Sequence, residues 1–305
     1  MVAILACIGY VAAVWVAAIL FSYVLSSVGV PKADFVARAL AYFLSMIVSS
    51  IFGVVASVFL RLVGYGQLSQ WAVARSFKYN MLVTAGVTFD VEDPNGYLDK
   101  IRPAVFIGPH QTELDVLMLG CIFPKYCSQT AKASLKWIPF LGWFMALSGT
   151  IFLNRSNSKD SREKMRGAAD EIRNRRQSVY MFPEGTRSYA KEPTLLPFKK
   201  GAFHLAVQAQ VPIVPVVVAN YSHIYYPKGF VFKSGSIPCK VLDPISTEGL
   251  TAADVDQLTI KTHELMLKEM IALTERARGK PLADGTNGAT NGVGMATGAE
   301  ARVSA

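Results

Sequence analysis

The sequence predicts an α/β fold, with a central, mostly parallel sheet that is flanked by helices and preceded by two N-terminal membrane helices. Two uncharged runs, residues 3–25 and 39–60, each exceed the ~20 residues that cross a bilayer. Beyond residue 60, short apolar runs alternate with helical segments, which is typical of a sheet covered on both faces. The charged residues are concentrated in this second part, since only Lys32, Asp34 and Arg38 precede it.

The composition excludes several classes of protein. The chain has 305 residues, of which 51% are hydrophobic and 17% charged, and its net charge is +9. Disordered, collagen-like and disulfide-scaffold chains do not have this composition. None of the four cysteines forms a CxxC pair, so reduced thiols and no metal site are expected. No aromatic residues interleave with the basic ones of the charged helix predicted at 159–176, and no known module is present, which argues against nucleic-acid binding.

The two apolar runs have alternative interpretations. A cleaved signal peptide is the alternative for the first run, although no Lys or Arg precedes it. A buried core helix or a re-entrant hairpin is the alternative for the second. Two crossings would leave everything after Arg61 in one compartment, and its many basic residues favour the cytosolic side. The sequons at Asn154 and Asn220 would then be unused.

Periodicity and turn signals predict the elements after the membrane segments. The predicted helices span residues 66–84, 113–122, 159–176, 201–210 and 253–277, and the predicted strands span 104–107, 179–182, 213–219 and 237–242. Pro212 lies just before the apolar run at 213–219, and Pro215 lies within it. Both are expected to mark strand edges or an irregular strand. The predicted domains are a two-helix membrane anchor (1–64), an α/β domain (65–278) and a disordered tail (279–305), because the glycine-rich tail has little to bury.

The first group of candidate catalytic residues follows the strand predicted at 104–107. His110 and Asp115 are five residues apart, which on a regular helix would put them about 140° apart. If His110 lies in the loop and Asp115 in the first helical turn, the carboxylate reaches the imidazole. It then holds one tautomer and leaves the other nitrogen free as a general base. The alternative is a surface histidine near a helix cap, with Glu113 as an ordinary first-turn acid.

The second group is the run Phe182-Pro-Glu-Gly-Thr-Arg-Ser188, which follows a predicted strand. Ligands bind at the carboxyl ends of strands in α/β sheets. Gly185 permits close backbone approach, and Arg187 offers a planar fork for a phosphate. Glu184 can bind a hydroxyl or orient the basic group. The alternative is a strand-to-loop turn with a surface arginine, and the residues alone give the two interpretations equal weight.

Together these residues resemble the glycerolipid acyltransferase family, which includes the 1-acyl-glycerol-3-phosphate (lysophosphatidate) acyltransferases. His110-x4-Asp115 is similar to the first motif of the family and Phe182–Ser188 to the third. Gly149–Arg155 is similar to the second motif, Val211–Val216 to the fourth, and residues 131–143 to the segment between the first two. Order and spacing match over roughly residues 66–275, and the resemblance is strongest to fungal and other eukaryotic membrane-bound members.

The resemblance implies roles for seven residues. His110 is implied as the base that takes the proton from the acceptor hydroxyl, and Asp115 as its orienting partner. Lys132 is implied to face the acceptor phosphate. The other implied acceptor-binding residues are Arg155, Glu184, Gly185 and Arg187.

One position departs from the family pattern. Many members have Asn immediately before the histidine, whereas this chain has Pro109. A contact from an asparagine side chain is therefore missing, and the geometry of the loop is less defined by the resemblance.

The implied function is the acylation of lysophosphatidate to phosphatidate, with acyl-CoA as co-substrate and no cofactor or metal. The implied location is the endoplasmic reticulum membrane, with the active site facing the cytosol and lipid droplets as a second location. The chain has no G-x-S-x-G elbow, which argues against an acyl-serine route. The alternatives are glycerol-3-phosphate or another lysophospholipid as acceptor, a hydrolase, and a non-catalytic lipid-binding scaffold. Acyl-chain preference and oligomeric state stay open.

Overall fold

The computed structural model describes residues 2–30, 32–153, 167–170 and 172–279. Its chain begins with two antiparallel helices, α1 (Val2–Ser27) and α2 (Ala33–Leu62), which pack along each other. In the described residues, α2 is long and apolar enough to cross a membrane, and α1 is a second apolar helix beside it. The two predicted N-terminal apolar helices are therefore present.

Helix α2 has two different faces. Small and hydroxyl-bearing side chains are buried against the rest of the protein, namely Ala37, Ala41, Ser45, Ser49, Gly53 and Ser57. Large apolar side chains are exposed on the opposite face, namely Phe43, Ile47, Ile51, Val55 and Phe59. A Cβ at Gly53 would lie only 2.7 Å from the Phe144 ring. Small residues thus let α2 approach its neighbours closely, and the outer face is suited to lipid.

A seven-stranded sheet forms the centre of the remaining chain. In spatial order its strands are β1 (Val87–Glu92), β9 (Gly235–Val241), β6 (Ile213–Val218), β2 (Val105–Ile107), β5 (Ser178–Met181), β3 (Cys127–Lys132) and β4 (Ile151–Leu153). All neighbours are parallel except β6 and β9. A separate hairpin pairs β7 (Tyr225–Tyr226) with β8 (Val231–Phe232). The four predicted strands and the mostly parallel sheet are confirmed.

Helices cover both faces of the sheet. They are α3 (Ser69–Ala85), α4 (Tyr97–Lys100), α5 (Asp115–Ile122), α6 (Leu141–Leu147), α7 (Gly201–Ala209) and α8 (Val255–Arg278), with 3-10 turns at Gly66–Leu68, Ala133–Trp137 and Pro227–Gly229. Phe77, Met81 and Leu117 from α3 and α5 pack on Phe106 and Val214. On the other face, residues from α7 and α8 pack on Val105, Ile107 and Val217. The central strands β2 and β6 lie between these two cores, which is why all their residues are apolar and buried.

Some predictions fall outside the described residues. Half of the helix predicted at 159–176 does, although residues 167–170 and 172–175 are helical. Residues 280–305 of the predicted tail also lie outside the described residues. The domain boundaries stay predictions.

The two prolines of the apolar run behave differently. Pro212 precedes β6, as expected for an edge, whereas Pro215 lies inside this central strand, opposite Ile107 of β2. Pro215 has no N–H to donate, and pairing of β6 with β9 begins only at Val216. The Pro215 carbonyl still accepts the N–H of Leu242 at 2.9 Å. Pro215 therefore does not mark an edge of the strand. The other expectation, an irregular strand, agrees with the pairing, because the described pairs of β6 are with β2 up to Pro215 and with β9 from Val216 onward.

Candidate active site

An open cleft lies at the carboxyl ends of the parallel strands β2, β3 and β5. Its volume is about 540 Å³. The polar side chains along its wall include His110, Thr112, Asp115, Gln129, Thr130, Lys132, Ser134, Thr186, Arg187 and Tyr189, and Met46 of α2 closes one side. Four residues that the sequence singled out therefore share one cavity, at the end of the sheet where ligands bind in α/β folds.

His110 and Asp115 are in direct contact. His110 lies in the loop after β2, and Asp115 is the first residue of α5. The Nδ1 atom of His110 is 2.8 Å from Oδ2 of Asp115. A carboxylate only accepts hydrogen bonds, so Nδ1 of the neutral ring carries the proton and Nε2 has the free lone pair. The contact predicted from the spacing is confirmed, and the pair has the geometry of a general base with its orienting carboxylate.

Asp115 accepts hydrogen bonds from three further donors besides His110. Its Oδ2 accepts the backbone N–H groups of Gln111 at 2.7 Å and Thr112 at 3.1 Å. Its Oδ1 accepts the hydroxyl of Tyr221 at 2.6 Å. The aspartate is 1% exposed, and a buried carboxylate is stable only when its oxygens are satisfied in this way. This network fixes the direction of the carboxylate toward His110.

The imidazole of His110 is held on its flat side as well. The ring of Phe182 stacks on it, with centroids 4.2 Å apart and planes 18° apart. The His110 carbonyl accepts the N–H of Ser188 at 2.9 Å. The loop after β5 therefore packs against the loop after β2. The His110 side chain is still 16% exposed, and it lines the cleft.

Glu184 lies behind the cleft wall. It is 3% exposed. Its Oε1 accepts the backbone N–H of His110 at 2.6 Å, and its Oε2 accepts that of Leu196 at 2.9 Å. Burial raises the pKa of Glu184 to about 7, against the lowering effect of these two N–H donors. The next residue, Gly185, has φ of 69°, a conformation that favours glycine and turns the chain back after Glu184.

Arg187 reaches the cleft from the same loop. Its Nη1 donates to Oε1 of Glu113 at 2.8 Å and to the Tyr189 hydroxyl at 3.2 Å. The Tyr189 hydroxyl also contacts Glu113. Arg187 and Glu113 side chains are 40% and 33% exposed. In the described residues these hydrogen bonds use only Nη1, so the other guanidinium donors can bind an anion in the cleft.

A smaller apolar pocket of about 80 Å³ adjoins the cleft. It lies between α2, α3, α5 and α6, and its apolar lining includes Val73, Phe77, Phe123 and Phe144. Met46, Val116, Leu119 and Leu141 line both cavities. A polar cleft and an apolar pocket thus meet at shared walls, an arrangement suited to a ligand with a charged end and a hydrocarbon chain.

The predicted site residues divide into three sets. His110, Asp115, Lys132 and Arg187 line the cleft. Glu184 and Gly185 support it from behind. Arg155 lies outside the described residues. The roles implied for all seven stay predictions.

Sequence reasoning missed Tyr221 and gave Glu113 no partner. Tyr221 lies shortly after Val218, the last residue of β6. A polar residue just past the carboxyl end of a central strand was the available signal, but a single tyrosine does not form a motif. Glu113 pairs with a residue that lies 74 positions further along the chain, and no local pattern indicates such a contact.

Comparisons with known proteins agree with this geometry. A family model described as Acyltransferase matches residues 91–219. The 1-acyl-sn-glycerol-3-phosphate acyltransferase of Saccharomyces cerevisiae is 43% identical over 230 residues, 75% of each chain. The human 1-acyl-sn-glycerol-3-phosphate acyltransferase beta is 40% identical over 225 residues, 74% of this chain and 76% of the human one.

A solved structure shares the fold. It is the 1-acyl-sn-glycerophosphate acyltransferase PlsC from Thermotoga maritima, with a TM-score of 0.62, 20% identity, and coverage of 77% of this chain and 95% of that one. At this identity the likeness concerns the fold. The matches to the yeast and human relatives each cover about three quarters of this chain. The chain therefore belongs to the acyltransferase family.

Proposed function

We propose that this chain transfers an acyl group from acyl-CoA to the free hydroxyl of 1-acyl-sn-glycerol-3-phosphate, which gives phosphatidate. The observation that carries the proposal is the contact between His110 and Asp115 in a cleft that also contains Arg187 and Lys132. A base with an orienting carboxylate activates an alcohol, and two cations suit a phosphomonoester. The names of the yeast and human relatives support this acceptor.

The reaction follows from the free lone pair on His110 Nε2. The acceptor hydroxyl oxygen attacks the thioester carbonyl carbon while its proton moves to Nε2. Asp115 stabilises the imidazolium that forms. The tetrahedral intermediate collapses, the C–S bond breaks, and the proton moves from Nε2 to the sulfur. The products are an ester and a free thiol, and the histidine returns to its neutral form.

The substrate binds with its two ends in different surroundings. Arg187 and Lys132 bind the acceptor phosphate, and the apolar pocket beside the cleft accommodates hydrocarbon. Glu113 also contacts Arg187, so the acceptor phosphate has to share this guanidinium with the Glu113 carboxylate. The acceptor hydroxyl is then presented to His110 from the side opposite Phe182.

The protein acts at a membrane. Its apolar helix α2 and the exposed aromatic side chains of Trp137 and Trp143 near the cleft support this location. We assign the site to the cytosolic face of the endoplasmic reticulum and of lipid droplets. The side chain of Asn220 is buried and its amide donates to the Ala190 carbonyl at 3.0 Å, so this sequon is not accessible in the folded protein.

The proposal is tested on the purified full-length protein in detergent or vesicles. Acyl-CoA is mixed with lysophosphatidate, glycerol-3-phosphate or other lysophospholipids, thiol release is recorded, and products are identified by mass spectrometry. We expect phosphatidate from lysophosphatidate and loss of turnover in His110→Ala. His204→Ala is the matched control, because His204 is exposed on α7. Transfer that survives in His110→Ala, or free acid as the sole product, would contradict the proposal.

A further inference from the structure

Tyr221 completes a row of hydrogen bonds that ends at the proposed base. Its hydroxyl donates to Oδ1 of Asp115 at 2.6 Å, and Oδ2 of the same carboxylate is 2.8 Å from His110 Nδ1. We propose that Tyr221 is a positioning residue for acyl transfer, whose hydroxyl holds the Asp115 carboxylate in place and disperses part of its charge. The inference rests on the proposed function, because it takes His110 as the base.

The direction of the hydrogen bond is fixed by the neighbouring groups. The Tyr221 hydroxyl also lies 2.9 Å from Thr112 Oγ1, which accepts the N–H of Leu114 at 3.1 Å. A phenol has a single proton, and the ionised carboxylate of Asp115 can only accept. Tyr221 therefore donates to Asp115 and accepts from the Thr112 hydroxyl, which satisfies every polar atom in the row.

The tyrosine ring has no freedom to turn away. Tyr221 is 1% exposed, and Phe89 of β1 packs edge-to-face against it with ring centroids 6.0 Å apart. Burial and the charge of Asp115 raise the pKa of the Tyr221 hydroxyl well above its usual value of 10. The group is thus a neutral donor throughout the pH range in which a histidine changes its charge.

Several other ionisable groups surround His110 and Asp115. They come from α2, the loop before α5, the end of β3, β5 and the loop after it, and are Tyr42, Glu113, Lys132, Tyr180, Glu184, Arg187 and Tyr189. Glu184 titrates in the same range as a histidine, since burial raises its pKa to about 7. In the described residues no hydrogen bond joins any of these side chains to the Asp115 carboxylate. A variant that changes only Tyr221 therefore acts on Asp115 through the lost hydroxyl, and otherwise only through Thr112, whose hydroxyl loses its acceptor.

The change to phenylalanine has a definite electrostatic consequence. Tyr221→Phe keeps the ring but removes one of the donors to Asp115, so the negative charge concentrates nearer to His110. The imidazolium is then favoured, and the acidic limb of the kcat/KM profile moves to higher pH by roughly 0.5–1 unit. We also expect a loss of maximal kcat of about 3–10-fold, because the carboxylate is less firmly oriented.

The closing experiment compares three full-length proteins. These are wild type, Tyr221→Phe and the matched control Tyr180→Phe, whose hydroxyl is equally buried but has no hydrogen-bond partner in the described residues. The kcat/KM profile with acyl-CoA and lysophosphatidate is recorded, and the His110 ring is titrated by NMR with labelled histidine. We expect the midpoint to move in Tyr221→Phe alone. A midpoint that stays in place while the rate falls equally at every pH would overturn the inference and leave Tyr221 a packing residue.

Two further measurements keep the inference testable. If Tyr221→Phe does not fold, 3-fluorotyrosine at position 221 keeps the shape and makes the hydroxyl a stronger donor, so the midpoint should move to lower pH. An unmoved or raised midpoint contradicts the inference.

The second measurement uses the Asp115→Asn background. Adding Tyr221→Phe to this variant should change the rate by less than about twofold. If Tyr221→Phe lowers the rate as much in this background as in wild type, the inference is contradicted. Wild type that makes no phosphatidate, or His110→Ala that does, contradicts the proposed function itself.

Discussion

Glu184 Oε1 accepts the backbone N–H of His110 at 2.6 Å, while Oε2 of the same carboxylate accepts the N–H of Leu196 at 2.9 Å. One buried carboxylate thus ties the loop after β5 to the loop that carries the candidate base. The acceptor-binding role implied for Glu184 stays a prediction. Both of its oxygens already have protein partners, so its observed contacts position the backbone of His110.

Glu184 makes the stability of the protein depend on pH. Its pKa is raised from 4.5 to about 7, mainly by burial, so the folded protein binds this proton more tightly than the unfolded chain. A raised pKa contributes stability below the unfolded value, and this contribution is lost as the pH rises through the folded value. Between pH 4.5 and 7 the free energy of unfolding therefore falls, by at most about 3 kcal/mol from this group.

Glu184→Gln should flatten that dependence. Glutamine does not titrate, and only its carbonyl oxygen can accept one of the two backbone N–H groups, while its NH2 group faces the other donor. Stability therefore falls by about 1–3 kcal/mol at low pH. Chemical denaturation of both proteins at several pH values measures the difference. The gap between wild type and variant should narrow as the pH rises. A gap that is constant, or that widens toward pH 8, would exclude Glu184 as the titrating group.

Arg187→Ala should weaken binding of the acceptor. The variant removes a cation with free donors in the cleft, and a charged hydrogen bond contributes about 1.5–3 kcal/mol. We expect the KM for lysophosphatidate to rise at least tenfold while the KM for acyl-CoA changes little. Steady-state kinetics with each substrate varied in turn measures both constants. Arg187→Lys is the control for charge, and equal effects on donor and acceptor would assign Arg187 to another role.

Glu113→Gln should have the opposite effect on the acceptor. Glu113 Oε1 competes with a substrate phosphate for the Arg187 guanidinium, which it contacts at 2.8 Å. Exposed ion pairs are worth about 0.2–1 kcal/mol, so neutralising Glu113 should lower the acceptor KM by about two- to fivefold. The same steady-state assay, run at low ionic strength, measures it. A raised acceptor KM would mean that Glu113 orients Arg187 more than it competes with the phosphate.

Gly108 leaves room for a tyrosine hydroxyl. A Cβ at this position would overlap the hydroxyl of Tyr180, which is itself 1% exposed. Gly108→Ala should destabilise the protein by about 1–3 kcal/mol through overpacking, and adding Tyr180→Phe should restore part of the loss. Denaturant unfolding of the two single variants and the double variant gives the coupling between them. Strictly additive effects would show that the backbone of Gly108, and not this contact, is the reason for the glycine.

The sequence predicts the parts of the fold that have a strong local pattern. Residues 213–219 are almost wholly apolar, and β6 is the central strand they form. The edge strand β1 was missed because Val87 and Phe89 are buried while Asp90 is exposed, so the run looks polar. The strand β3 contains Ser, Gln and Lys and was missed for the same reason. Local pattern thus identifies strands buried on two faces better than strands near an edge.

The candidate site divides in a similar way. His110 and Asp115 are close in sequence, so a loop followed by a helical turn was enough to predict their contact. The support for that pair comes from Glu184, Phe182 and Tyr221, which reach it only because β2, β5 and β6 are neighbours in the sheet. Such contacts depend on strand order, which no local pattern contains.

Helix α2 is connected to the same loop. Tyr42 of α2 donates from its hydroxyl to the backbone carbonyl of Glu113 at 3.0 Å, and its ring packs edge-to-face on Phe77. One turn further along, Met46 lines the cleft. The helix that is apolar enough to enter a bilayer is therefore also a wall of the candidate active site.

Tyr42→Phe tests whether this link matters for turnover. The variant keeps the buried ring but leaves the Glu113 carbonyl without this donor, which costs about 1 kcal/mol. Glu113 lies between His110 and Asp115 in the sequence, so a less firmly held loop would misplace this pair. We therefore expect kcat to fall several-fold while membrane association is unchanged. Activity in vesicles and flotation of the protein with them measure the two properties. Tyr79→Phe is the matched control, since Tyr79 on α3 is 60% exposed. If both variants retain full kcat, α2 serves as an anchor and cleft wall without bracing the loop. If Tyr42→Phe alone loses activity, the hydrogen bond from α2 to Glu113 keeps the loop between His110 and Asp115 in its active conformation.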